Sequence, residues 1–587
     1  MPHRYNIYLP YKLFNCYCCC FLLLLNACQL SNSKKDADTS AQQQPPVSVT
    51  NRTLNVHDYQ AIGDGISDDT KQIQAAINDA LSGDTVLIPS GKYKVKTLVL
   101  RSNIHIRSIG LLRQYLPADT QLFSLEKQNS SNPLFFGRDV HHITLDFRAE
   151  TRNEAIYVYR SSNITVKNSM MTGSSKKRSF PGMLFYDCKG IEVSGSVVRN
   201  YGTARESAIY YQPGTAIRLL SCSNVLIAQN RLSENGENGV FLHGSSDATI
   251  SDNHILNNGM SAIQIGFGNT GIEKNFTIVN NVMDHNAADA IDINNRSAQP
   301  PLAIHCLIKG NRSSNNGYVK GTPTPDGSGI ATLINISKVA VVNNRSTSSN
   351  RPALYFEKCD EIAAEGNRSD NKIEIVDAFN DIKLLDNQFD ALTALSNVKG
   401  KKLLLRQNIL RTLLLPNGIH IDSLLLYDNQ VKKATLNFNM AGNIVLENNT
   451  IQNDTPRDAL LIVNVNSATI KKNHISSTRS YGVNIRKTAK RVVVTENDIQ
   501  AANACIFDEG AADLKIYKNK LTSLPGAQTS RTLVSLNPNN LQLKNNTHKA
   551  GKSDNSIRLE GTGTAIISNE KIISGYPDYG KVVIQED

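Results

Sequence analysis

From about residue 160 onward the chain is written in short apolar runs of three to five residues that alternate with polar positions. Asn, Gly, Ser and Asp part the runs. Period-two alternation rich in Val, Ile and Leu predicts half-buried strands. No unit holds a ten-residue helical pattern, which excludes helical and leucine-rich solenoids. Segments such as VLIAQNRL, FTIVNNVM, LLLYDNQV and LKIYKNKL carry an Asn that recurs at Asn230, Asn253, Asn281, Asn311, Asn344, Asn367, Asn387, Asn408, Asn429, Asn449, Asn473, Asn497, Asn519, Asn546 and Asn569. A repeat of this kind, one Asn to each short unit, belongs to a solenoid. The predicted fold is therefore all-β: a single-stranded right-handed parallel β-helix, each coil holding three short strands. One Asn per coil suits a stacked ladder, because its side chain bonds neighbouring backbone and tolerates a left-handed φ.

A small residue followed by an apolar one opens the same strand in successive coils: Ala155-Ile156, Gly182-Met183, Ala216-Ile217, Gly239-Val240, Ala262-Ile263, Ala290-Ile291, Gly329-Ile330 and Ala353-Leu354. Cys188, Cys222 and Cys359 each fall six residues after the small residue and read as buried turn residues. If the apolar residue points inward, the outward set is Tyr157, Tyr159, Tyr186, Arg218, Phe241, His243, Gln264, Asp292, Asn294, Tyr355 and Glu357. Aromatics that stack on sugar rings, with charged groups beside them, make a strip suited to a polysaccharide.

The start of the solenoid needs a plug, and residues 55–106 predict one. Asp69 with Gln72 reads as a capping box, Ile73, Ala76, Ile77 and Ala80 make one apolar helix face, and Gly83 is a stop signal. Strands follow at 85–88 and 93–100, split by Pro89-Ser90-Gly91. Asp64, Asp68 and Asp69 read as turn and cap residues.

The segments DYQAIGDGISDDTKQIQAAI and VLIPSGKYKV resemble the opening of the pectate-lyase superfamily, in its rhamnogalacturonase/epimerase-like and polygalacturonase-like members. The Asn-turn repeats are similar to the right-handed β-helix repeats that accompany it. The resemblance implies the fold firmly and the activity loosely, since members include hydrolases, lyases, epimerases and noncatalytic adhesins. The polygalacturonase pattern is broken: Asn269-Thr270-Gly271 has Gly where that family has Asp, and no Gly-His-Gly or Arg-Ile-Lys occurs. The Asp-Pro-His-Asp of mannuronan epimerases is also absent.

Long coils point to the site, because a groove needs walls. The coils ending at Asn281, Asn311 and Asn344 are long, and excursions at 174–181 and 201–213 precede them. The site is expected between residues 155 and 360, after a cap and first coils at 51–110. The minimal, Leu-rich coils from Asn367 to Asn449 look like scaffold, within a run of minimal and C-terminal coils at 361–587. Asp289 and Asp292 are the best carboxylate pair, although three positions apart on a straight strand would oppose them. The expected roles are Arg218 as cation for a uronate carboxylate, His243 as base, and one of the two Asp as acid. Tyr157, Tyr159, Tyr186, Phe241, Gln264, Asn294, Tyr355 and Glu357 would bind substrate. The expected reaction is elimination or C5 epimerisation on an acidic polysaccharide. A glycoside hydrolase or a noncatalytic glycan-binding β-helix is the alternative.

Net charge is +11, from 63 basic and 52 acidic residues, and no basic run interleaves with aromatics, which argues against nucleic acid. The apolar run from Leu13 to Leu25 has the length of a signal-peptide core. Leu25-Asn26-Ala27-Cys28 resembles a bacterial lipobox, with Asn26 as a departure. It implies a signal at 1–27, a lipid on Cys28, and a polar tether at 28–50. The expectation is an exported, monomeric lipoprotein at the outer membrane, cell surface or periplasm, touching the membrane only through that lipid. No cofactor is expected, and calcium at Asp-rich turns stays open.

Overall fold

A computed structural model describes residues 51–116, 132–173, 180–202, 214–268, 271–295, 300–318, 328–395, 397–415, 419–439, 441–525, 531–551 and 554–585. Cys28, the leader, the tether and the excursions at 174–179 and 203–213 lie outside these residues.

The described strands stack in parallel, from Thr53–Asn55 beside Thr85–Ile88 to Thr564–Ser568 beside Val583–Gln585. The solenoid is the expected right-handed parallel β-helix. Alternation explains it: in the strands Ile217–Leu220, Val240–His243, Ile263–Gly266 and Ile291–Asn294, residues such as Leu219, Leu242, Ile265 and Ile293 are buried and join one apolar core. Among the described residues no helix is long and apolar enough to cross a membrane.

The three-strand coil does not hold everywhere. Between Phe379 and Asn439 each coil has two long strands: Phe379–Leu385 and Gln388–Ala394, Lys399–Arg406 and Ile409–Leu415, His420–Tyr427 and Gln430–Asn439. The coils between Asn367 and Asn449 are the shortest in the repeat, and they have no room for the third turn. One strand therefore runs straight across the position where longer coils bend, so Gln388–Ala394 pairs with both Arg368–Ser369 and Ile373–Ile375.

The asparagine ladder forms as expected. The backbone N–H and Nδ2 of each member donate to Oδ1 of the next, as in Asn408 to Asn429 (3.0 and 3.0 Å) and Asn429 to Asn449 (2.9 and 2.9 Å). Two details differ. The left-handed residue is the one before each Asn, such as Gln407, Asp428 and Asn448 at φ 57, 57 and 58°. That residue turns the chain and aims the Asn inward. Asn569 is itself such a turn residue, and Glu570 takes the last slot. A second ladder, Asn235–Asn258–Asn286–Asn316, runs with the same bonds and goes beyond the one the sequence pattern predicts.

The capping helix spans Thr70–Asp79 and buries Ile73, Ala76 and Ile77. Asp69 does not make a capping box. Its carboxylate accepts from the backbone of Ile62 (2.6 Å) and Gly63 (3.2 Å), pinning the preceding turn, so it is aimed away from the helix. Asp64 accepts from Ile66 and Ser67, and Asp68 from Thr70 and the Tyr115 hydroxyl, as turn and cap residues do. Cys188, Cys222 and Cys359 are buried free thiols.

Candidate functional site

The strands that carry the candidate residues form one sheet running up the solenoid. Register places two outward columns on it. The first reads Phe136, Tyr157, Leu184, Arg218, Phe241, Gln264, Asp292, Thr332, Tyr355. The second reads Arg138, Tyr159, Tyr186, Leu220, His243, Gly266, Asn294, Ile334, Glu357. Neighbours in a column are about 4.8 Å apart. Arg218, Phe241, Gln264 and Asp292 are therefore consecutive. His243 and Asn294 flank Gly266.

The strip is not continuous. Leu184 and Leu220 part Tyr157, Tyr159 and Tyr186 from the central group. Thr332 and Ile334 part it from Tyr355 and Glu357. The outer residues satisfy one another: Tyr159 and Tyr186 rings lie 5.1 Å apart, and the Tyr355 hydroxyl donates to Glu357 at 3.0 Å.

Arg218 is not the exposed cation the sequence suggests. It is buried, its Nη1 donates to Glu237 at 3.1 Å, and its guanidinium lies 4.7 Å over the Phe241 ring. Glu237 is wholly buried and also accepts from Thr215 Oγ1 (2.6 Å) and the Gly214 backbone (3.1 Å). A charge already matched inside the protein has little left for a substrate carboxylate. Tyr157 and Tyr355, also read as outward, are largely buried.

The polar network continues along the face. Asn238 Nδ2 donates to Gln264 Oε1 at 2.9 Å, and Gln264 Nε2 donates to Asp292 Oδ2 at 2.9 Å. Asn238 Oδ1 accepts from the Ser261 backbone, whose hydroxyl donates to Asp289 Oδ2 at 3.3 Å. Thr332 Oγ1 donates to Asp289 Oδ1 at 2.7 Å, and Thr332 is the register partner of Asp292. Asp289 thus holds the hydroxyl of the residue one coil above Asp292. The chain turns just before Ala290, so Asp289 is not on the straight strand that would have opposed it to Asp292.

His243 stands at the surface. Its ring is parallel to Phe241 (5°, centroids 6.2 Å apart). Partial burial pushes the imidazole below its ordinary range, Glu273 draws it back, and Arg218 lowers it again. This direction favours the neutral imidazole, the form able to accept a proton. Gly266 keeps the space beside it open, since a Cβ there would stand 3.2 Å from His243 Nδ1. The result is a notch walled by Phe241 and His243 on one side and Asp292 and Asn294 on the other.

Sequence reasoning missed Glu237, Asn238, Ser261, Glu273 and Thr332. One signal was readable: the residue before the small one is polar in most coils, namely Glu154, Thr215, Asn238, Ser261, Asp289 and Ser328, and all six are buried.

Residues 128–304 and 434–585, more than half of the chain, match the right-handed β-helix region, and the chain belongs to that family. Residues 53–179 match the family described as rhamnogalacturonase A/epimerase, pectate lyase-like. A 67-residue stretch is 45% identical to mannuronan C5-epimerase AlgE2 of Azotobacter vinelandii, covering 10% of this chain and 7% of that protein. Alginate lyase 7 of the same organism is 43% identical over 67 residues, 10% of this chain and 8% of its own. Plasmin and fibronectin-binding protein A of Streptococcus pneumoniae is 49% identical over 57 residues, 9% of this chain and 8% of its own. The shared stretches are thus small parts of proteins whose names describe an epimerase, a lyase and a binding protein. Among solved structures, the A-module of epimerase AlgE6 from Azotobacter vinelandii aligns with TM-score 0.37 at 17% identity, over 64% of this chain and 93% of that one. A family 28 exopolygalacturonase of Yersinia enterocolitica aligns with TM-score 0.42 at 14% identity, over 64% and 78%.

Proposed function

We propose that this protein acts on a uronic-acid polysaccharide by removing the C5 proton, as a lyase or C5-epimerase. The observation that carries the reading is His243: an exposed imidazole pushed toward its neutral form, over a glycine-floored notch, beside an ordered carboxyl and amide network. His243 Nε2 or Nδ1 takes the C5 proton. The electrons of the C5–H bond pass into the uronate carboxyl group. Because Glu237 already matches Arg218, the Gln264 and Asn294 amides and a protonated member of the Asp289/Asp292 pair stabilise that group by hydrogen bonds. In elimination the C4–O bond then breaks, and the acid protonates the departing oxygen. In epimerisation the acid returns a proton to C5 from the opposite face. Relatives named for alginate chemistry are consistent with such a substrate.

The test is incubation of the purified protein with sodium alginate and sodium polygalacturonate. Unsaturated-uronate absorbance reports elimination, and exchange of C5 hydrogen with deuterated solvent reports epimerisation. Reducing ends without either signal would mean a hydrolase. Silence in all three would leave a glycan-binding role. On the same reading the protein works outside the cytoplasm, tethered by a lipid on Cys28. Cys28→Ser would then release it from the membrane fraction, and unchanged association would refute the tether.

A further inference from the structure

The sheet that carries the notch continues unbroken through Ile373–Ile375, Gln388–Ala394, Ile409–Leu415, Gln430–Asn439 and Leu460–Val463 to Val483–Ile485 and Ala504–Asp508. On these last coils, beyond the minimal ones from Asn367 to Asn449, lies a second organised cluster. Tyr481 and Phe507 are half-buried and stacked, with centroids 4.6 Å apart and planes 25° from parallel. Beside them the Asp458 carboxylate accepts from Ser480 Oγ (2.7 Å) and Asn484 Nδ2 (2.7 Å). Asn484 is the register partner of Phe507 and is only 2% exposed. Its Nδ2 is committed to Asp458, which fixes the orientation of the amide. Its Oδ1 is buried and has no hydrogen-bond partner among the described residues.

A buried amide oxygen left without a donor is destabilising, since it has given up its hydrogen bonds to water. A fold that needed only scaffold here would place Leu or Val in that slot, as it does with Leu461 one coil before and Val534 one coil after Phe507. The cluster offers an apolar ring surface, the Asp458 carboxylate and the Asn484 amide oxygen. The nearby cation Arg486 is already paired with Glu509. The complementary ligand has an apolar face and donates hydroxyl protons, and it needs no negative charge. A pyranose ring fits that description. A peptide adding itself as a strand does not, because Val483–Ile485 is paired on both sides.

We propose that Tyr481, Phe507, Asp458 and Asn484 form a second saccharide-binding site, on the same face as the notch but distinct from it. The chain of register partners puts it about ten coils from Phe241, roughly 48 Å away. A polymer lying along the solenoid would reach both sites, and tethering at one raises the effective concentration at the other. The binding itself does not depend on the reaction proposed at His243.

The experiment is affinity electrophoresis of the full chain in gels containing dextran, mixed-linkage β-glucan, galactomannan, alginate or polygalacturonate, at low and high salt. We expect retardation by at least one polymer that persists at high salt, because stacking and hydroxyl hydrogen bonds are not screened. His243→Ala should retain it. Tyr481→Ala and Asn484→Leu should each weaken the dissociation constant at least about tenfold. Tyr481→Ala changes a partly exposed ring, and its melting temperature reports whether the fold is kept. Retardation by none of the five polymers, retardation lost in high salt, or retardation lost in His243→Ala but kept in Tyr481→Ala would each overturn the proposal.

Discussion

Arg218 and Glu237 meet at 3.1 Å beneath the candidate face, with both side chains out of solvent. The pair is the anchor of the network that reaches Asp292 through Asn238 and Gln264. Removing one partner strands a buried charge. Glu237→Ala and Arg218→Ala should each lower stability by about 3–5 kcal/mol. Replacing both with Met and Leu should restore much of that loss. Thermal and denaturant unfolding of the three variants provides the measurement, and equal losses in the single and double variants would contradict the pairing.

The pH profile should report His243. Its folded-state pKa lies below the ordinary value near 6.5, so kcat/KM should rise with pH through a midpoint below about 6.5. Glu273 raises that pKa, so Glu273→Gln should move the midpoint further down. The backbone N–H of Gly268 still finds an acceptor in the Gln variant, which protects the fold. A midpoint that moves up would mean that another group governs the limb.

His243→Ala and Asp292→Asn should each lower turnover by roughly 10²–10⁴-fold, with melting temperatures near that of the parent. Thr332→Val removes the hydroxyl that donates to Asp289 from the position one coil above Asp292. It should disturb the acid limb of the proton return without abolishing binding. Full activity in the His243→Ala/Asp292→Asn double variant would end the catalytic reading.

Asp508 is buried and its pKa is raised to about 6, chiefly by burial, against the opposing hydrogen bonds from Ser535 and the backbone of Ala511 and Gly510. A raised pKa means the folded state holds the proton more tightly than the unfolded state. Its contribution is complete below about pH 4 and is lost as pH rises through about 6. The change is at most about 3 kcal/mol. Between pH 4 and 7, the difference in stability between parent and Asp508→Asn should therefore change in favour of the variant as pH rises. A pH-independent difference would rule this out.

Asn429→Ala removes the side-chain amide from a buried ladder and leaves the backbone N–H of Asn408 unmet, while Asn408 Nδ2 keeps the Leu384 carbonyl. The loss should be about 3 kcal/mol or more. Glu570→Gln should cost less than Glu570→Ala, since Gln keeps the acceptor that Asn546 uses (3.0 and 3.1 Å). Unfolding midpoints of the three variants decide this.

The ladder is legible because its signal is local. An Asn in every coil and a period-two apolar pattern fix which side chains face inward, one coil after another. The same alternation by itself places His243, Gln264, Asp292 and Asn294 on one sheet. Asn569 is misread for an equally local reason, because a left-handed turn and a ladder slot one residue later both accept polar residues. What alternation cannot tell is whether an outward side chain stays in water. Arg218 points outward by register yet is buried, because Glu237 comes from a turn one coil away and meets it. Asp289 and Asp292 look opposed on a straight strand, and only the bend before Ala290 lets Asp289 reach Thr332, the register partner of Asp292. Glu237, Asn238 and Ser261 read as ordinary turn residues until neighbouring coils stack and close them off from solvent. Strand direction is decided within a short stretch of chain. Burial, pairing and protonation are decided by atoms that arrive a coil or more later, and only the tertiary structure brings those together.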